Sequence, residues 1–146
     1  MRYLLLTLLL IFSTWLSSKS YPVVQLGIEQ GLSNNSIVSI TQDRDGFLWF
    51  GTEEGLNKFD GTRFINYYKH TQSISGNELN CIYADPEEPI IWIATQRAGF
   101  NAYNYETNSL KVYTHDESLP NSLVTNDITD IKPAADGNLW ISTYHK

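Results

Sequence analysis

The sequence predicts an all-β fold: an incomplete β-propeller of about two and a half four-stranded antiparallel blades behind an N-terminal signal peptide. Three observations carry that expectation. A short motif, in which a turn leads into a strand with one tryptophan and ends on a small residue and threonine, occurs at 45–52, 89–95 and 136–143. Its tryptophans, Trp49, Trp92 and Trp140, lie 43 and 48 residues apart, the period of a propeller blade. Between the motifs, short β-branched or alternating runs punctuated by Gly, Asn and Asp return in the same order.

The first twenty residues read as a secretory leader. Arg2 supplies a positive start, 4–12 are apolar apart from Thr7, and Ser18-Lys19-Ser20 offers small residues for cleavage after Ser20. The apolar run is shorter than the roughly 20 residues a spanning helix needs, and none that long follows. The chain has a formal charge of −6. Loss of Arg2 and Lys19 with the leader would make it more acidic. That balance argues against nucleic acid and anionic membrane as partners. Cys81 is the only cysteine, so no internal disulfide can staple the domain. Set between Leu79 and Ile82, it reads as a small buried hydrophobe.

Residues 21–35 form a lead-in: a strand candidate at 21–26, then a loop rich in turn residues. The loop matches those that follow fourth strands later on. The strand is therefore expected to be outermost and to close the last blade by edge pairing. Blade 1 spans 36–78, with strands at 36–41, 47–52, 56–59 and 63–68 and turns at Asp45-Gly46 and Asp60-Gly61. Blade 2 spans 79–126, with strands at 79–84, 90–95, 100–103 and 110–113. Residues 127–146 give the first half of blade 3, with strands at 127–132 and 138–143.

One such sheet cannot bury two apolar faces alone, so blades must pack face to face. Trp49, Trp92 and Trp140 are the large side chains expected between blades, mostly buried, each on the second strand of its unit. Gly51, Ala94 and Ser142 would sit where a neighbouring backbone passes close. Asn35, Asn77 and Asn126 recur just before each first strand, as expected of amides that close the long turn by bonding nearby backbone.

Residues 31–61 (GLSNNSIVSITQDRDGFLWFGTEEGLNKFDG) and 121–143 (NSLVTNDITDIKPAADGNLWIST) resemble the two-component regulator propeller repeat. The resemblance covers nearly all of the chain after the leader. It implies a periplasmic propeller, the sensor part of a hybrid histidine kinase anchored in the inner membrane, responding to polysaccharides or their breakdown products. Kinase, receiver and DNA-binding motifs do not occur in these residues, so the chain is expected to be the N-terminal piece of a longer protein. The remaining blades would be its partners, with a homodimer as a further option. Two rivals stand beside the sensor: a secreted propeller scaffold, and a propeller carbohydrate-active enzyme.

The residues suggest no catalytic or metal site and no cofactor. Asp43-x-Asp45-Gly46 begins like a calcium loop but runs at once into strand. His70, His115 and His145 are scattered over loops, and Glu53-Glu54 and Glu87-Glu88 are adjacent pairs whose side chains diverge. If the first strand is innermost, the tips after each second strand share one face. There Glu53 and Glu54, Gln96 and Arg97, and Tyr144 and His145 are the candidate ligand-binding residues, a mixture suited to a sugar or a peptide.

Overall fold

A computed structural model describes residues 20–71 and 73–144. It contains ten strands in three antiparallel sheets. The first has the order β1 (Ile37–Gln42), β2 (Leu48–Thr52), β3 (Gly55–Phe59), β4 (Phe64–Tyr67). The second repeats it with β5 (Leu79–Ala84), β6 (Ile90–Thr95), β7 (Phe100–Asn104) and β8 (Ser109–Tyr113). The third pairs β9 (Ile128–Pro133) with β10 (Leu139–Thr143). The expected strands stand within a residue of their expected limits. The signal peptide lies outside the described residues.

The lead-in segment, expected to pair with the last blade of the whole protein, finds no partner strand among the described residues. Residues 21–26 form no strand, and Val23 and Val24 are 94% and 76% exposed. An isolated extended segment has no ladder in which to satisfy its N–H and C=O groups, so β-branched composition alone does not make it a strand.

The meander follows from its turns. Between β1 and β2, Asp43 Oδ1 accepts the amides of Asp45 and Phe47 at 3.1 and 2.9 Å, and Gly46 takes φ 90°. Asp43-x-Asp45-Gly46 is thus a turn held by its own carboxylate, as its immediate run into strand suggests. At the start of β7, Gly99 has φ 87°, and a Cβ there would lie 2.3 Å from the Tyr113 carbonyl oxygen. Only glycine lets β8 end so close to β7.

The first strands are innermost and stitched to one another. Ser39 Oγ on β1 accepts the Ile82 amide of β5 at 3.2 Å, and Thr41 Oγ1 accepts that of Ala84 at 3.2 Å. Asn80 on β5 donates to the Ile128 carbonyl of β9 at 2.7 Å. The hydroxyls satisfy edge groups that would otherwise invite foreign strands.

One core lies between the first two sheets: Trp49 and Leu56 from one side, Leu79, Ile82, Ile91, Ile93 and Tyr103 from the other, with Ile74 from the connecting loop. A second, smaller one joins Ala94 and Phe100 to Ile128 and Ile131. Gly51 is small because Ile82 of the next blade fills its place, where a Cβ would meet Ile82 Cγ2 at 3.2 Å. The close neighbour there is thus a side chain, not a backbone. Ala94 is fully buried, whereas Ser142 is exposed and bonds Thr129 within its own sheet at 2.7 Å.

The three tryptophans sit on β2, β6 and β10, the second strands of their sheets, but they are not equally buried. Trp49 is 0% exposed, Trp92 half-buried and Trp140 73% exposed. No described element lies over the Trp140 face, and burial requires a neighbour. Cys81 is half-buried, not sealed in the core. Burial, then the Asp130 carboxylate beside it, pushes its thiol pKa up.

Candidate functional site

Each blade presents the same two devices on one face. The first is the tip that follows its second strand. Its backbone is tied to the residue just before the first strand: Glu53 N–H donates to Ser36 O at 3.3 Å, Gln96 to Glu78 O at 2.8 Å, and Tyr144 to Asp127 O at 2.9 Å. The second is a bulge at the start of each first strand. Pairing skips Val38 in β1, Asn80 in β5 and Thr129 in β9. A bulge leaves one residue unpaired and re-aims it, and such bulges gather beside functional sites. The tips were legible in the sequence. The bulges were not, because the extra residue is defined by the partner strand.

Between the first two blades these devices line an open cavity of ≈ 420 Å³. Glu53, Glu54 and Gln96 from the tips, Val38 and Asn80 from the bulges, and Asn34, Glu78 and Leu79 line it. Arg97 stands just outside, in the left-handed region at φ 68°, with Nη2 3.6 Å from Glu78 Oε2. Both side chains of that pair are well exposed, so the pair orients more than it stabilises. Tyr144 is 54% exposed on its own tip and does not join this cavity. His145 lies outside the described residues.

The recurring asparagines hold the loops that lead into this face. Asn35 Oδ1 accepts the Ile28 amide at 3.1 Å, Asn77 Oδ1 that of Lys69 at 2.7 Å, and Asn126 Oδ1 that of His115 at 2.6 Å. A second repeated network escaped the sequence reading. Asn57 is fully buried, accepts the Ser33 amide at 2.8 Å and donates to Ser33 Oγ and to the Phe50 and Gly55 carbonyls. Asn101 binds Ser75 in the same way at 2.8 Å. These amides fasten the incoming loop to the third strand, and buried amides need such partners. The recurring signal was Gly55-Leu56-Asn57 and Gly99-Phe100-Asn101.

The opposite face is built from hairpin turns that link neighbouring blades. The Trp49 indole N–H donates to Asp43 Oδ2 at 2.7 Å, and that of Trp92 to Asp85 Oδ2 at 3.2 Å. Burial pushes the Asp85 carboxyl up, but the Glu88 and Glu87 amides and the Trp92 indole outweigh it and hold it below the usual range. The residue in register in the third sheet is Ala134, whose amide bonds Asn138 O as Asp43 bonds Phe47 O and Asp85 bonds Ile90 O. Lys58 Nζ sits 3.9 Å from the Phe47 ring centroid and about 5 Å from those of Trp49 and Tyr105, a cation–π contact inside the blade 1–blade 2 junction. Arg44 reaches across to the Glu106 carboxylate at 2.7 Å and the Glu87 carbonyl at 2.6 Å.

A larger hollow of ≈ 920 Å³ lies between the second and third sheets, lined by Trp92, Phe100, Tyr113, Leu123, Leu139 and Ile141 among others. Its counterpart over the first blade is filled: Trp49 and Tyr67 are covered by Tyr103 and Tyr105, from β7 and the turn after it. The hollow is therefore a blade-packing face. The candidate ligand site is the polar cavity.

Among the described residues no three His, Cys, Asp or Glu side chains are placed to hold a metal ion.

The model of the two-component regulator propeller family matches residues 31–54 and 122–145. A solved structure described as the extracellular domain of the hybrid two-component system BT3049 of B. thetaiotaomicron is 61% identical over 86% of this chain, with a TM-score of 0.80. The corresponding domain of BT4673 from the same organism is 33% identical over 84%, with a TM-score of 0.64. Histidine kinase P4 of Formosa agariphila is 57% identical over 37 residues, 25% of this chain. The chain spans 18% of each of the two solved domains and 3% of that kinase.

Proposed function

The chain belongs to the two-component regulator propeller repeat family, and on that premise we propose that it is the N-terminal, extracytoplasmic part of a hybrid two-component sensor kinase that responds to an oligosaccharide or polysaccharide. The observation that carries the sensor role is the 61% identity, over 86% of the chain, to an extracellular domain of such a system. The leader would export it to the periplasm, a span elsewhere in the protein would anchor it in the inner membrane, and the phosphorelay would belong to that other part. Further blades of the same protein would cover Trp140 and the apolar hollow beside Trp92. The ligand reading is supported by the polar cavity, where amides and carboxylates from the tips, the bulge and the loops before the first strands stand beside the apolar Val38. Such a mixture matches sugar hydroxyls and the apolar face of a sugar ring.

The test is phosphorylation of the intact protein in membrane vesicles, with and without a panel of oligosaccharides on the periplasmic side. A ligand-dependent change in phosphotransfer is expected. Oligosaccharide binding by an intact protein that shows no phosphotransfer would overturn the kinase assignment. Phosphotransfer that no oligosaccharide alters or binds to would overturn the ligand class.

A further inference from the structure

Resting on the oligosaccharide reading above, we propose that the cavity between the first two blades selects by charge: it takes neutral or cationic oligosaccharides and rejects anionic ones. The charged groups of its lining are all carboxylates. Glu53, Glu54 and Glu78 bring three carboxylates. Asn80 spends one N–H of its amide on the Ile128 carbonyl at 2.7 Å, which leaves its oxygen and its second N–H. Asn34 is the reverse: Oδ1 accepts the Ser36 amide at 2.6 Å, leaving its NH₂ to the cavity. Gln96 can serve either way. The nearby cation, Arg97, is not part of the lining and is drawn to Glu78.

A ligand that donates hydrogen bonds and carries no negative charge is therefore favoured here. Sugar hydroxyls do so, and the ammonium of an amino sugar does so with opposite charge. A uronate or sulfate would bring negative charge against Glu53 and Glu54, and against a Glu78 that Arg97 only partly neutralises. Two like charges about 4 Å apart repel by roughly 1 kcal/mol even in water, a factor of about five each before salt screening. The selection is built into the fold. The bulge at Asn80 and the tip bonds of Glu53 and Gln96 fix where these groups stand, and Leu79 is buried beneath them.

The experiment is binding of the intact protein, at physiological salt, to immobilised oligosaccharides grouped by charge: neutral glucans and mannans, glucosamine oligomers, and galacturonate and sulfated oligomers. Binders are expected only in the first two groups. Glu53→Gln, Glu54→Gln and Glu78→Gln together should weaken any glucosamine binder at least about tenfold and relax the exclusion of galacturonate. All three positions are exposed, so the fold should survive. Tight binding of an anionic oligomer by the unaltered protein overturns the charge selection and leaves the oligosaccharide reading intact. No binding in any group overturns that reading and the selection with it. Binders indifferent both to the triple change and to Gln96→Ala with Asn80→Ala overturn the assignment to this cavity.

Discussion

Trp49 in β2 and Trp140 in β10 hold the same place in the repeat, yet the first is 0% exposed and the second 73%. Around Trp49 the Tyr67 ring stacks at 5.5 Å, while Tyr105 and Tyr103 of the next blade close in at 5.7 and 6.4 Å. Its indole N–H reaches Asp43, itself only 5% exposed. Around Trp140 there is no such wall among the described residues, and Ala134 replaces the aspartate. Trp92 lies between these extremes: half-buried, stacked on Phe100 at 5.3 Å, with a longer bond to Asp85. A blade supplies its tryptophan, but the next blade supplies the burial. Stability in such an array is a sum over neighbours, so equivalent residues need not contribute equally.

The comparison is broken most directly by truncating the two tryptophans. Trp49→Ala should cost about 3–5 kcal/mol in chemical denaturation, the range for a large core aromatic. Trp140→Ala should cost under about 1 kcal/mol in this chain, because little contact is lost. Equal losses would mean that the third sheet is covered as well as the first.

The polar partner comes next. Asp43→Ala strands the amides of Asp45 and Phe47 and the buried indole N–H, at about 2–3 kcal/mol. Asp85→Ala should cost less, since its indole bond is longer and more exposed. Ala134→Asp restores the motif in the third sheet. With Trp140 exposed, it should shift stability by no more than about 0.5 kcal/mol. A large gain would show that the carboxylate itself, not burial, anchors the ring.

Tyr103 sharpens the comparison through pH. Burial, then the neighbouring Tyr67, pushes its phenol up to about 12 from an ordinary 10.0. The folded state prefers the neutral phenol, so this stabilisation is complete below pH 10 and is lost as pH rises toward 12. Titration from pH 10 to 12 should cost up to about 2 kcal/mol, and Tyr103→Phe should remove most of that dependence. An unchanged alkaline limb in the variant would place the titrating group elsewhere. A smaller effect than that of Tyr103 belongs to Lys58→Met. It removes a cation from over Phe47 and Trp49 while keeping an apolar stem, and should cost about 0.5–1 kcal/mol.

Much of the fold was legible because a blade is a local object. Its strands alternate, its turns carry Asp-Gly in the first and third units and Asp85-Pro86 in the second, and its tryptophans recur with the period, so hairpin after hairpin is specified within each repeat. The asparagines before each first strand could also be placed, since a feature repeated at one phase answers a repeated backbone need. The charged and amide tips of the candidate site were readable as loops that differ between blades. Val38 and Asn80 were not, because a bulge exists only relative to the strand opposite. Nor were Asn57 and Asn101, whose partners Ser33 and Ser75 lie more than twenty residues upstream.

The sequence by itself determined the elements, their order within a sheet and the position of each tryptophan, because period-2 patterning and turn chemistry act between near neighbours. The tertiary structure alone decided that residues 21–26 have no ladder partner among the described residues, that Trp140 stays exposed while its equivalents sink inward, and that two tips and two bulges meet around one cavity. Those outcomes depend on which surface lies across the gap, and a ladder, a buried ring and a cavity between blades each need a second partner that no local pattern encodes.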